Sequence, residues 1–222
     1  MTRKEIENHT VAFLRTAGGT RPDVRVVEIE NRRFVVKDFR RSDLLFKAIV
    51  GPLLIRRESA ALARMDGVEG VPRLFQRIDR YAMVIEHIDG TALRDFKGDI
   101  PEGFFDELVD IMDAVHSLGV THCDLRSSGN VMVTSDGKPK VVDFAACVMR
   151  GHGLNPLINF LFRQFIDGDH YAVLMLKRKH APDQLRPEEI DRLNTPLPYE
   201  ELAKNIGRST RNITRRMLTR KK

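Results

Sequence analysis

Two short β-branched runs flank the turn SDGK, one at residues 130–134 (NVMVT) and one at residues 140–144 (KVVDF). The Asp-Gly pair between them is a strong hairpin signal, so a chain with this stretch is committed to an antiparallel strand pair. Just upstream, residues 121–130 read THCDLRSSGN, and Asp143 closes the second run. Asp124, Asn130 and Asp143 therefore border apolar strands, where a carboxylate or amide is costly to bury without a partner. Such a hairpin predicts a polar site at its edge.

The 222 residues suffice for one large domain or two small ones that share a cleft. Hydrophobic residues at 42% and charged residues at 31% predict a soluble globular chain, and apolar runs such as 82–85 are too short to span a bilayer. The first ten residues, MTRKEIENHT, lack the apolar core of a secretory signal, which predicts a cytoplasmic protein. Cys123 and Cys147 fit neither a disulfide framework nor a metal set, so reduced thiols are expected. Charge is unevenly spread: residues 196–222 carry eight bases and two acids, a net charge equal to the +6 of the whole chain. An anionic partner attracted by bulk charge would meet that tail.

Residues 24–31 and 33–39 are β-branched runs joined at Asn31 and Arg32, which predicts an early hairpin with Lys37 inside its second strand. Pro52 opens a predicted helix that stops near Gly67. On that helix Leu54, Glu58, Leu62 and Met65 share one face, so Glu58 is an acid on an apolar stripe. Residues 73–79 and 81–90 read as two further strands. A strongly periodic helix follows at 102–119, with Phe105, Leu108, Ile111, Met112 and Val115 inward. Beyond the hairpin come a glycine-rich loop and two predicted helices, 157–165 and 170–180. The scattered His87, Cys123, Cys147, His152 and His170 receive no metal role.

Lys37, Glu58, Asp124, Asn130 and Asp143, in this order and spacing, resemble the working parts of protein-kinase-like phosphotransferases. HCDLRSSGN resembles the H-x-D-L…N catalytic loop, VVDFA the D-F-G magnesium motif, FVVKDF the lysine-bearing strand, and MVIEHIDG the adenine-binding hinge. The likeness covers residues 24–149. It implies an α+β, two-lobed kinase-like fold: a strand-rich N-lobe at 1–88, a reduced helical C-lobe at 89–195 and a basic helical tail at 196–222. It also implies ATP and Mg²⁺ as cofactors. Lys37 paired with Glu58 would anchor phosphates, Asp124 would act as base, and Asn130 and Asp143 would hold the metal. The backbone from Glu86 to Ile88 would receive adenine, and Gly18 and Gly19 would cover the phosphates. His122 is expected to pack and hydrogen-bond beneath the loop. Small size places the chain nearer the compact RIO-like serine/threonine kinases and the bacterial lipopolysaccharide inner-core sugar kinases than the large eukaryotic enzymes.

Several features depart from that pattern. Asn130 follows Asp124 by six residues where five is usual, an offset that a one-residue bulge at Ser128 and Gly129 would absorb. Ala145 replaces the last glycine of D-F-G, no G-x-G-x-x-G precedes Lys37, and no A-P-E motif follows Asp143. Three readings stay open: a protein serine or threonine as acceptor, a lipopolysaccharide sugar, or a catalytically silent kinase-like binding module. The tail also has two readings. Ala203, Gly207 and Ile213 fall at helix-turn-helix positions, with Ser209 as cap and Arg211, Arg215 and Arg216 toward nucleic acid. Alternatively, residues 204–222 form a basic amphipathic helix that packs on the lobe or lies on an anionic surface, peripheral at the inner face of the membrane.

Overall fold

The computed structural model describes residues 1–151 and 156–195. The chain divides into a unit spanning Met1–Gln184 and a unit spanning Leu185–Lys222. Both tail readings, at residues 196–222, lie outside the described residues.

The first unit opens with α1 (Arg3–Asn8), capped by Thr2 and Glu5 in a reciprocal capping box. A five-stranded antiparallel sheet follows, built from β1 (Thr10–Arg15), β2 (Asp23–Ile29), β3 (Arg32–Asp38), β4 (Leu74–Arg77) and β5 (Ala82–Glu86) in the order β1-β2-β3-β5-β4. Period-two alternation gives the sheet two distinct faces. Val27, Phe34, Val36 and Val84 pack with Ile6 of α1 on one. Register sets Val24 beside Lys37 and Lys37 beside Met83, so Lys37 shares the opposite face with Val24 and Val35. Neighbouring Asp38 consequently points away from Lys37, toward Arg3 and Arg25.

Between β3 and β4 lies α2 (Gly51–Arg64), preceded by a π-helical turn over Phe46–Val50 and with Pro52 in its first turn. Ile55, Glu58, Ala61 and Leu62 are its buried stripe. After β6 (Gly90–Ala92) comes α3 (Phe104–Ser117), burying Phe104, Phe105, Leu108, Met112 and Val115. Ile111 is only partly buried but packs on the same core. Two small sheets then shape the centre of the molecule. β7 (Val120–Thr121) pairs with β10 (Val148–Met149), while β8 (Val131–Thr134) pairs with both β6 and β9 (Pro139–Val141). Gly137 takes φ 78° in the β8–β9 turn, as a tight hairpin turn demands.

One helix, α4 (Pro156–His180), occupies the span predicted as two. A single interior glycine, Gly168, costs only about 1 kcal/mol and does not interrupt it. Asp169 is used inside the helix, as described below. In the second unit, α5 (Pro187–Asn194) starts with proline in its first turn, and the Arg186 N–H donates to Glu189. Among the described residues no helix is long and apolar enough to cross a membrane.

Candidate active site

The site is assembled by three local devices. The first is the face of β3 that carries Lys37. The second is the stripe of α2 that carries Glu58. The third is the hairpin register, in which the Val142 N–H donates to the Asn130 carbonyl at 2.8 Å and so sets Asn130 next to Asp143.

Lys37 Nζ donates to Glu58 Oε1 at 2.5 Å and to Asp143 Oδ1 at 2.8 Å, across 106 residues of sequence in the latter case. Burial alone would push the lysine pKa down, yet the two carboxylates more than offset it and the net direction is upward. Lys37 stays charged. Burial likewise pushes Glu58 up, with Lys37 pulling against it. For Asp143 burial is the largest influence and acts upward, but the Lys37 ammonium prevails and holds the carboxylate below its usual range. Asp143 and Cys123 both adopt left-handed backbone, at φ 66° and 65°. Non-glycine residues are sparse there, and such conformations gather at functional sites.

Asp124 connects to this group through Asn130, whose Nδ2 donates to the Asp124 carbonyl at 2.9 Å and to its Oδ2 at 3.1 Å. The amide nitrogen is thereby committed, and Oδ1 is left as a hard oxygen of the kind magnesium selects. The sixth-residue spacing is not absorbed by an unusual glycine conformation. Two successive turns take it up, closed by Ser127 N–H to Asp124 O and by Asn130 N–H to Ser127 O. Gly129 packs under the Arg94 side chain, whose guanidinium would lie 2.8 Å from a Cβ there. Asp124 is open to solvent as a residue, but the packed loop removes water from part of its carboxylate. Its pKa is raised by that desolvation, against the Asn130 hydrogen bond and with the Asp143 charge.

His122 is fully buried, with Nδ1 accepting from the Asp124 N–H at 3.2 Å and Nε2 donating to the Val142 carbonyl at 3.0 Å. Its ring lies 4.7 Å from that of Phe144. Burial pushes the Cys147 thiol up to about 11, leaving it protonated at neutral pH.

A cleft of about 600 Å³ opens beside these groups, lined by Val24, Val35, Ile85, Met132 and Val142 on its apolar walls and by Lys37, Asn130 and Asp143 at its polar end. Glu86, His87 and Ile88 border it, and the Ile88 N–H has no hydrogen-bond partner among the described residues. The volume and the mixture of apolar walls with convergent polar groups suit a nucleotide-sized ligand. Gly18 and Gly19 sit outside this lining. They form a turn closed onto Arg21, fixed by the Asp43 N–H bonding to Gly19 O at 2.9 Å.

Several contributors escaped the sequence reading. Arg15 and Arg21, either side of that turn, line the cleft. Asp169 of α4 accepts from the backbone N–H groups of His122 at 2.6 Å and Cys123 at 2.9 Å, suspending the loop that carries Asp124. Arg57 donates to the Ala145 carbonyl, and the Phe144 N–H to Glu58, so α2 grips the D-F-A segment. An acid within an apolar helix signals Asp169 weakly; the arginines carry no comparable mark.

This architecture is a protein-kinase-like fold. The Rio2 kinase of Chaetomium thermophilum, solved as an ADP/Mg²⁺-phosphoaspartate complex, superposes with a TM-score of 0.59 at 16% identity, over 88% of this chain and 61% of that one. The serine/threonine-protein kinase Warts of Drosophila melanogaster is 25% identical over 131 residues, or 56% of this chain. The serine/threonine-protein kinase LATS1 of Homo sapiens is 26% identical over 121 residues, or 51% of this chain. The chain spans only 12% and 11% of the length of those two kinases. No protein-family model matches the chain.

Proposed function

We propose that this chain is an ATP- and magnesium-dependent phosphotransferase acting on a serine or threonine hydroxyl of a protein. The observation that carries the reading is the Lys37 ammonium held between Glu58 and Asp143 at the polar end of a nucleotide-sized cleft. Phosphoryl transfer needs positioning and charge neutralisation more than covalent help, and these side chains offer both. Lys37 presents a fixed positive charge to phosphate oxygens, with Glu58 holding it in place. Asp143 and Asn130 Oδ1 supply the hard oxygens for Mg²⁺, which when bound neutralises charge on the phosphates. Asp124, its pKa raised toward the working range, accepts the proton of the attacking hydroxyl. Arg15 and Arg21 add positive charge where a glycine-rich loop would otherwise surround the phosphates. The Ile88 N–H offers a donor to the adenine edge. A protein acceptor is supported by the serine/threonine kinases among the chain's relatives.

The test is to incubate the purified protein and an Asp124→Asn variant with Mg²⁺ and γ-labelled ATP, offering itself, a generic protein and lipopolysaccharide. Label on serine or threonine, lost in the variant, supports the reading. Label on lipopolysaccharide alone transfers the acceptor to a sugar. Nucleotide binding without any transfer replaces the enzyme with a silent kinase-like module.

A further inference from the structure

On the far side of the catalytic loop from the cleft chemistry, α3 and α4 bring together Asp113, His116 and His170. A ligand atom from each lies within 4.8 Å of the other two. Asp113 and His116 are three residues apart on α3 and so share one helix face, the spacing by which carboxylate and histidine ligands are offered in helical metal sites. His170 approaches from α4, its ring 5.0 Å from that of His116 and its Nε2 2.9 Å from Asp113 Oδ1.

The decisive atom is His116 Nδ1. His116 is 8% exposed, and Nδ1 is buried with no hydrogen-bond partner. An orphaned buried polar atom costs on the order of 1–3 kcal/mol. The other ring nitrogen is committed, because Nε2 lies 3.1 Å from Asp169 Oδ2 and a carboxylate can only accept. Nε2 therefore carries a hydrogen, and Nδ1 is the nitrogen left to offer a lone pair to a metal. A carboxylate that fixes one imidazole nitrogen and leaves the other without a partner is the usual support of a metal-bound histidine. A plain His170–Asp113 ion pair explains neither this lone pair nor its burial, and at 38% and 59% side-chain exposure such a pair contributes little stability.

We propose that Asp113, His116 and His170 bind a divalent transition-metal ion, zinc above all, as a clamp between α3 and α4. Two imidazoles and a carboxylate suit zinc, with water completing the tetrahedron. Metal–ligand bonds of about 2.0–2.2 Å require the three groups to draw closer, and exposed Asp113 and His170 have the freedom to do so. The same exposure provides the entry path. Because His116 hands its Nε2 hydrogen to the carboxylate that suspends His122 and Cys123, the ion would stiffen the catalytic loop from behind.

The experiment uses the full chain, untagged and stripped with chelator, titrated with zinc and separately with cobalt without nucleotide. Expected are one zinc per chain, a raised Tm, and visible cobalt bands of a nitrogen/oxygen site. His170→Ala and Asp113→Asn should each weaken zinc binding by about tenfold or more, while the Tm of the metal-free protein stays put. Asp143→Asn should leave zinc binding intact. Failure of the wild type to take up stoichiometric zinc, or undiminished affinity in both variants, overturns the proposal. So does zinc lost in Asp143→Asn but kept in His170→Ala, which would put the ion in the cleft.

Discussion

Asn130 donates its side-chain amide twice to Asp124, once to the backbone carbonyl and once to the carboxylate. The residue proposed to hold metal thus also orients the residue proposed to take the proton. Their positions cannot drift independently.

The pH dependence of turnover follows from this. Asp124 has a raised pKa and Asp143 a lowered one. As pH falls, Asp124 is protonated first and loses its ability to accept, while Asp143 remains ionised through the same window. The acid limb of kcat should lie above the ordinary aspartate value of about 3.9. Asn130→Ala, which removes the bond that lowers the Asp124 pKa, should move the limb further up in whatever activity remains. A limb that stays put in that variant rules out Asp124 as the titrating group.

Lys37→Met should abolish transfer and destabilise the fold by about 3–5 kcal/mol, the penalty for stranding a buried charge. Adding Glu58→Leu should restore most of the stability without restoring turnover, since a buried ion pair replaced by apolar groups is often neutral. Urea unfolding of the two single variants and the double provides the cycle. A double variant no more stable than Lys37→Met would show that the pair is not energetically coupled.

Arg15→Ala and Arg21→Ala are expected to raise the KM for ATP by about tenfold each, the scale of one charge-assisted hydrogen bond, with kcat changing less. Steady-state kinetics at varied ATP distinguishes this from a purely structural effect, which would lower the Tm instead.

Asp169→Ala removes the acceptor for two backbone N–H groups and the His116 ring. At roughly 1–3 kcal/mol for each stranded donor, the variant should unfold at clearly lower denaturant. Asp169→Asn keeps one acceptor oxygen and should fall between it and the wild type. Equal stability of all three would mean that the loop is held by other contacts.

Much of this site is legible in the chain because each residue stands beside an element the sequence announces. Lys37 lies in a β-branched run, Glu58 on an apolar stripe, and Asp124, Asn130 and Asp143 around a hairpin. Other parts are not. β1 is an exposed edge strand in which Val11 and Phe13 face solvent, so it lacks the burial alternation by which strands are read. α1 has only six residues, too few to show a helical periodicity. Two helices are predicted where α4 runs unbroken, because local propensity says nothing of Asp169 being needed by a loop 47 residues earlier. The arginines of the cleft are ordinary surface residues until the fold turns them toward it.

Arg57 and Glu58 are consecutive on α2, so they leave the helix about 100° apart. One reaches the Ala145 carbonyl; the other reaches Lys37 and the Phe144 N–H. A displacement of α2 large enough to break one of these contacts therefore strains the other, so the lysine anchor and the D-F-A segment share one support.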